Sequence, residues 1–284
     1  MNAQLHLFDA LAWRLAQGLP GLRSGSHAGR MRGAGENFAD IAPLLAHPDP
    51  RRLDLRRSVM DPLGTLHVRR FQTRTDLRLH VALDASASLG AVARADRLGL
   101  ARLLAAGFAQ AARCARDLFS LTVCAGDRVL HDQPPTRRSL APELLELPLE
   151  PAGRGTDALT VMAHELPRER VLVVLISDFE LAQDELAALL TILRPRAVLP
   201  IWLRDSGLDA PPPQLGLAEV RDPETGRRRT VLTTPRWATR QAQATANRHT
   251  ALRRTFAEHG LSPIEITDSI DVAQLAVSVS EAPL

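Results

Sequence analysis

The stretch that decides the fold is RVLVVLIS, Arg170 to Ser177, because it is the most continuously apolar run in the chain. Its short length and its content of Val, Leu and Ile predict a strand rather than a helix. An apolar run without alternation is typical of a strand that is covered on both faces. Leu77 to Leu83, LRLHVAL, predicts a second strand of the same kind. We therefore expect a buried sheet with helices packed on both sides.

Strand patterns alternate with helix patterns from residue 77 onward. This alternation predicts an α/β fold, with a Rossmann-like, mostly parallel sheet and helices on both faces. We expect residues 77–284 to form this domain, with a small hairpin insertion near residues 215–232. The helices are predicted at 95–116, 139–147, 156–166, 184–193, 235–260 and 270–277, and the further strands at 119–124, 127–131, 197–203 and 263–266.

Residues 1–76 differ from the rest of the chain. Apolar spacing predicts a helix at 5–19, residues 21–58 have little periodicity and are expected to be mostly irregular, and 65–71 predicts a strand. Residues 1–80 hold 12 arginines and 7 acidic residues. We expect 1–76 to wrap the domain as an extension. Its arginines either contact a partner, through Arg51, Arg52, Arg56 and Arg57, or form a solvated surface.

Composition excludes several classes of function. Only 4% of the residues are aromatic, and no basic stretch is interleaved with aromatic residues, so we expect no nucleic-acid partner. No apolar run is long enough to predict a membrane span. Cys114 and Cys124 lack the spacing of a redox or zinc motif, and the start of the chain does not look like a signal peptide. The default expectation is a cytoplasmic protein.

Oxygen-bearing side chains follow the two buried strands at their carboxyl ends. The sequence Asp84-Ala-Ser86-Ala-Ser88 ends the first strand, and Asp178 follows the second. Thr156, in Gly153-Arg-Gly-Thr-Asp, precedes a predicted helix. Ligands of parallel sheets lie beyond the carboxyl ends of the strands, so we expect these five side chains to converge.

Carboxylate and hydroxyl oxygens are hard ligands that suit Mg²⁺ or Mn²⁺ rather than zinc. The metal ligands predicted from the sequence are Asp84, Ser86, Ser88, Thr156 and Asp178. The alternative for each residue is a turn or a helix cap, since Ser, Thr and Asp favour such positions. The nine histidines form no zinc motif with one another or with cysteine.

The order D-x-S-x-S, then G-x-G-T-D, then a strand-terminal Asp resembles the metal-ion-dependent adhesion site (MIDAS) of von Willebrand factor A domains. The resemblance extends over roughly residues 20–280. The segments that carry it are GENFADIAPLLAHPDPRRLDLRRSV, LHVRRFQTRTDLRLHVALDASAS, LVVLISDFE, GLAEVRDPETG and HGLSPIEI, and they look like the bacterial MoxR-associated family of von Willebrand A-like proteins, a domain of unknown function. The chain departs from that family at Leu53-Asp54-Leu55 and at His47-Pro48-Asp49.

This resemblance implies a six-stranded sheet that carries one metal. It also implies work with a MoxR-type AAA+ ATPase in the maturation, metal insertion or chaperoning of a client enzyme, as in the accessory proteins of methanol-dehydrogenase gene clusters. We expect a protein-binding module and not an enzyme, because the motif loops hold no candidate general base or nucleophile motif. The alternative is a Mg²⁺-dependent phosphoesterase that uses the same metal site.

Overall fold

The computed structural model describes residues 8, 37–72, 77–168, 171–209, 215–221 and 227–282. The chain divides into two compact units, residues 20–76 and residues 1–19 with 77–284. The helix predicted at 5–19 and the turn of the predicted hairpin lie outside the described residues. Within the described ranges, no helix combines the length and the apolar character that crossing a membrane requires.

The unit at residues 20–76 contains regular structure that the sequence analysis did not predict. Strand β1 (Asn37–Pro43) pairs antiparallel with β2 (His67–Gln72), and a short helix α1 (Leu55–Met60) lies between them in the chain. Asp54 caps α1 by accepting from the backbone N–H of Arg57 at 3.1 Å, and its other oxygen accepts from Arg69 of β2. The expectation of a mostly irregular segment over 21–58 was therefore wrong for the described part, while the strand predicted at 65–71 is confirmed.

The main unit is built on a six-stranded sheet in the order β10-β7-β6-β3-β4-β5, in which every described pair except β4–β5 is parallel. Two more strands pair only with each other, as the hairpin predicted near 215–232. In chain order the strands are β3 (Arg78–Asp84), β4 (Leu118–Ala125), β5 (Arg128–Thr136), β6 (Val171–Ser177), β7 (Ala197–Arg204), β8 (Gly216–Arg221), β9 (Arg228–Thr233) and β10 (Ile264–Thr267).

Apart from the short helix α6, which was not predicted, the helices of this unit lie close to where the sequence predicts them, and the α/β fold with a mostly parallel sheet is confirmed. They are α2 (Arg97–Ala115), α3 (Ala141–Leu145), α4 (Asp157–Glu165), α5 (Gln183–Leu193), α6 (Ser206–Asp209), α7 (Pro235–Glu258) and α8 (Val272–Glu281). A 3-10 turn, Ala87–Gly90, follows β3.

Both faces of the central strands are buried, which explains why β6 is apolar at every position but its last. Val173 and Leu175 of β6 pack with side chains of α4, α5 and α7, including Leu189 and Phe256. Their neighbours in the strand, such as Val174, are buried on the opposite face because side chains alternate along a strand.

The chain reverses its direction of strand addition between β3 and β6. From β3 it adds β4 and β5 on one side, then returns to place β6, β7 and β10 on the other. The carboxyl ends of β3 and β6 therefore flank a topological switch point, the position where open α/β sheets form their ligand crevices.

Candidate functional site

The candidate site lies at the carboxyl ends of β3 and β6. Leu83 pairs with Ile176 in parallel register, so the next residues, Asp84 and Ser177, emerge beside each other. Sequence reasoning placed Asp84 and Asp178 at this edge of the sheet, and the strand order now makes them neighbours.

Four of the five predicted ligands belong to one hydrogen-bonded network. Asp84 accepts from the Ser177 hydroxyl at 2.7 Å and from the backbone N–H of Ser86 at 3.0 Å. The hydroxyls of Ser86 and Ser88 lie 3.1 Å apart. Ser88 then donates to Asp178 Oδ1 at 3.2 Å. The structure thus brings together two carboxylates and three hydroxyls, all of them buried.

A left-handed residue fixes the direction of the Asp178 side chain. Phe179 has φ of 51°, a conformation that a bulky residue adopts only when its surroundings hold it there. Its N–H donates to Ser177 Oγ at 2.8 Å, and its ring packs edge-on against Phe256 with the centroids 5.0 Å apart. Core packing therefore holds the turn that presents Asp178.

The two carboxylates differ in how their charge is balanced. Burial and then the nearby Asp178 raise the pKa of Asp84 to about 7, against the lowering effect of the Ser177 hydroxyl. Burial also raises the pKa of Asp178, but the guanidinium of Arg97 opposes this effect. Arg97 donates to Asp178 Oδ2 at 3.0 Å. The donors to Asp84 are neutral and leave the charge of its carboxylate poorly compensated. A cation bound beside it would compensate that charge.

Thr156, the fifth predicted ligand, is buried at the residue before α4. The loop before it is tied to the Asp84 loop, since Ala87 N–H donates to the Gly153 carbonyl at 3.3 Å. Its hydroxyl joins none of the hydrogen bonds described above. Thr156 occupies the N-cap position of α4, as the cap interpretation expects, but its hydroxyl makes no capping hydrogen bond. The structure thus ties the loop before Thr156 to the Asp84 loop.

Two residues of the network were missed from the sequence, Ser177 and Arg97. Ser177 was read only as the last strand residue, and its role depends on the β3–β6 register. Arg97 did leave a signal, because it lies on the same helical stripe as the buried residues Ala101, Leu104 and Phe108. A charged residue on such a stripe predicts a buried partner, which here is Asp178.

A cleft of about 480 Å³ extends from the network toward the end of β7 and the middle of α7. Ser88, Arg97 and Asp178 form part of its wall, so this side of the network borders the cleft. Trp202 and His249 line another part of the cleft, and their rings pack edge-on with the ring centroids 4.7 Å apart. The cleft also carries Glu180 and Arg248, which form an ion pair with each other.

The donor set fits a hard divalent cation. Within the described residues, no three His, Cys, Asp or Glu side chains form a potential metal cluster. This site instead offers two carboxylates together with hydroxyl oxygens. That mixture of charged and neutral oxygen suits Mg²⁺ or Mn²⁺. The hydrogen bonds of the network hold these oxygens close to one another.

The arginines predicted to contact a partner lie in the unit at residues 20–76. Arg51, Arg56 and Arg57 are exposed, and Arg52 is half-buried with its guanidinium 3.5 Å from Asp49. Exposed apolar side chains lie nearby in the chain, including Leu55, which is 67% exposed. The prediction of a partner surface here remains a prediction.

A protein-family model described as "Protein of unknown function DUF58" matches residues 49–253. An "Uncharacterized protein in moxR 3'region" from Paracoccus denitrificans is 77% identical over 105 residues, which are 37% of this chain and all of that protein.

Two solved structures align with 72% of this chain. One is the conserved hypothetical protein BatB from Bacteroides thetaiotaomicron, 15% identical with a TM-score of 0.41 over 96% of its length. The other is an aerotolerance-related membrane protein from Bacteroides fragilis, 19% identical with a TM-score of 0.43 over 97% of its length.

Proposed function

We propose that this chain, which belongs to the DUF58 family of proteins of unknown function, is a metal-dependent protein-binding module that works with a MoxR-type AAA+ ATPase. In this proposal the main unit is a von Willebrand A-like domain, and the candidate site is its MIDAS. The observation that carries the proposal is the buried network at the switch point of the sheet, in which Ser86 and Ser88 link Asp84 to Asp178.

The charges of the network support metal binding. Two buried carboxylates face one guanidinium, so the ionised network carries one negative charge in excess. Buried charge without a partner is costly, and a divalent cation removes that cost. Asp84, Ser86, Ser88, Thr156 and Asp178 are the residues that would hold the metal, as predicted from the sequence.

A bound Mg²⁺ or Mn²⁺ would supply positive charge and a ligand position at the wall of the cleft. The hydroxyls are neutral ligands and do not cancel that charge. An acidic side chain of a partner, entering through the cleft of about 480 Å³, is the group whose charge complements the loaded site. The function that this arrangement favours is recognition of a partner carboxylate and not catalysis of a reaction.

The partner is proposed from the relative whose printed name places it in the region 3' of moxR. We propose that this chain serves the same kind of ATPase in the maturation, metal insertion or chaperoning of a client enzyme. The ATPase supplies the energy, since this sequence lacks a Walker loop. The exposed arginines at 51, 56 and 57 are candidates for a second contact with that ATPase.

The test compares the chain with two variants in a pull-down of a MoxR-type ATPase from the same organism, with Mg²⁺ and with EDTA. Asp84→Ala removes a proposed ligand. Asp271→Asn is the matched control, because Asp271 is the exposed N-cap residue of α8 and is not one of the proposed ligands. We expect Mg²⁺-dependent capture by the wild type and the control, and its loss in Asp84→Ala.

Capture that is equal in Mg²⁺ and EDTA, or equal in Asp84→Ala, contradicts the proposal. Assays of the purified chain with generic phosphoesters, in Mg²⁺ and in EDTA, test the alternative function as a phosphoesterase. Metal-dependent turnover that is lost in Asp84→Ala would show the chain to be a phosphoesterase instead.

A further inference from the structure

Arg97 is a charged side chain buried at the candidate site, and no predicted role includes it. It lies in the first turn of α2, 4% exposed, on the stripe that packs into the core through Ala101, Leu104 and Phe108. Burial of a guanidinium is costly unless the group is paired, so the contacts of Arg97 indicate its role at the site.

The hydrogen bonds that the structure describes for Arg97 lie at the site and in the turn beside it. Its Nη1 donates to Asp178 Oδ2 at 3.0 Å, and its Nη2 donates to the carbonyls of Ser88 and Ala91. Its Nε has no hydrogen-bond partner in the part of the chain that the structure describes. The guanidinium thus joins the carboxylate after β6 to the 3-10 turn that carries Ser88.

This contact makes the two carboxylates unequal. Both oxygens of Asp178 are engaged, one by the Ser88 hydroxyl and the other by the Arg97 charge. Both oxygens of Asp84 are also engaged, but by the neutral hydroxyl of Ser177 and a neutral backbone N–H. A guanidinium remains charged at any physiological pH, so Asp178 carries a permanent counter-charge and Asp84 does not.

We propose that Arg97 is a resident cation of the metal site, which weakens metal binding and strengthens binding of the partner's carboxylate. This inference rests on the proposed function. Two carboxylates and Arg97 carry a net charge of minus one, and a divalent cation turns that into plus one. An entering carboxylate then neutralises the site. Without Arg97 the loaded site is already neutral, and the attraction to a partner carboxylate is lost.

Arg97 has a second effect on the empty site. Its charge holds Asp178 and the 3-10 turn together, so the ligands stay assembled before metal binds. In a variant without this charge, the bound metal has to hold Asp178 and the turn together instead. Metal binding and folding stability therefore become linked more strongly in the variant than in the wild type.

The test measures Mn²⁺ binding by calorimetry, and melting temperature with and without Mn²⁺, for the full chain and for Arg97→Met. Arg97→Gln is a second variant, which keeps a donor for the turn carbonyls and guards against a failure of the first to fold. Arg102→Met is the matched control, because Arg102 lies on the same helix and donates to the Leu147 carbonyl instead.

Removal of the charge is expected to tighten Mn²⁺ binding about tenfold or more, because a like charge next to the metal is gone. Arg97→Met should melt at a lower temperature than the wild type in EDTA and regain more of its stability when Mn²⁺ is added. In saturating Mn²⁺ its capture of the ATPase should be weaker than that of the wild type. Arg102→Met should bind Mn²⁺ as the wild type does.

The outcomes separate this inference from the proposed function. If the wild type binds Mn²⁺ through Asp84 but the Arg97 variants bind it equally or more weakly, the inference is overturned and the proposed function stands. If neither the wild type nor the Arg97 variants bind Mn²⁺, both are overturned. Tighter metal binding with unchanged capture of the ATPase overturns the part that concerns the partner carboxylate.

Discussion

Replacement of Asp205 by asparagine tests how the loop between the candidate site and α2 is held. Asp205 follows β7 and is 2% exposed. Its carboxylate accepts from the backbone N–H groups of Ala93, Arg94 and Ala95, and from that of Gly207. The loop that it grips runs from the 3-10 turn of the site to the first turn of α2. The Asp205→Asn side chain has one oxygen that can accept from these donors. Its amide N–H₂ faces the remaining backbone N–H groups and cannot accept from them.

The magnitude follows from the pKa of Asp205. Burial opposes ionisation, but the four backbone donors lower the pKa to about 2, from 3.8. A folded pKa below the unfolded value adds stability that is fully present above pH 3.8 and is lost as the pH falls toward 2. At neutral pH this is worth about 2.5 kcal/mol, from about 1.4 kcal/mol per pKa unit. The misplaced amide adds about 1 kcal/mol, so we expect a total loss of about 3.5 kcal/mol.

Urea unfolding of the wild type and the variant at pH 7 and pH 3 measures this loss. At pH 3 the wild type has lost about half of the ionic contribution, so the difference between the two proteins should shrink by about 1 kcal/mol. Asp271→Asn is the control, since asparagine replaces aspartate well at a helix cap, and we expect less than about 0.5 kcal/mol. A variant as stable as the wild type at pH 7, or a difference that does not change with pH, refutes the reasoning.

Two further predictions concern the sheet and the loops of the site. Burial, and then the charges of Arg78 and Arg196, lower the pKa of His80 to about 3, so the unfolded chain binds its proton first and stability falls below pH 6.5. The loss due to His80 should reach about 2 kcal/mol at pH 5, and urea unfolding of His80→Met at pH 7.5 and 5 should show a correspondingly smaller change. Gly126 has φ of +62° and a Cβ there would lie 2.7 Å from the backbone of Arg154, so Gly126→Ala should cost roughly 2–4 kcal/mol and weaken Mn²⁺ binding. The control Gly260→Ala, at φ of +73° with open space around it, should cost only about 1–2 kcal/mol, and equal losses in the two variants would exclude a steric cause.

The main unit was predictable because its central strands bury both faces. A strand covered on both sides has to be apolar throughout, and Val171–Ser177 is the clearest case. Strand β1 was missed because Asn37–Pro43, NFADIAP, has neither a continuous apolar run nor regular alternation, and it contains proline. It is a strand because β2 pairs with it, which is a tertiary cause that local pattern does not carry.

The candidate site was predictable in its residue types but not in its connections. Motif order placed Asp84 and Asp178 at one edge of the sheet. The Ser177 bond to Asp84 depends on β6 lying next to β3, and the sequence order of the strands does not state that. Arg97 was overlooked because it was read as one of many arginines in a chain without lysine, although its place on the buried stripe of α2 distinguishes it.

The proposed metal site is tested by calorimetric titration of the metal-free chain with Mn²⁺, with Asp84→Ala and Asp271→Asn titrated beside it. We expect one binding site in the wild type and in Asp271→Asn, and no binding in Asp84→Ala. Circular dichroism checks that each variant is folded before the titration. A folded Asp84→Ala that binds Mn²⁺ as tightly as the wild type would show that Asp84 is not a metal ligand.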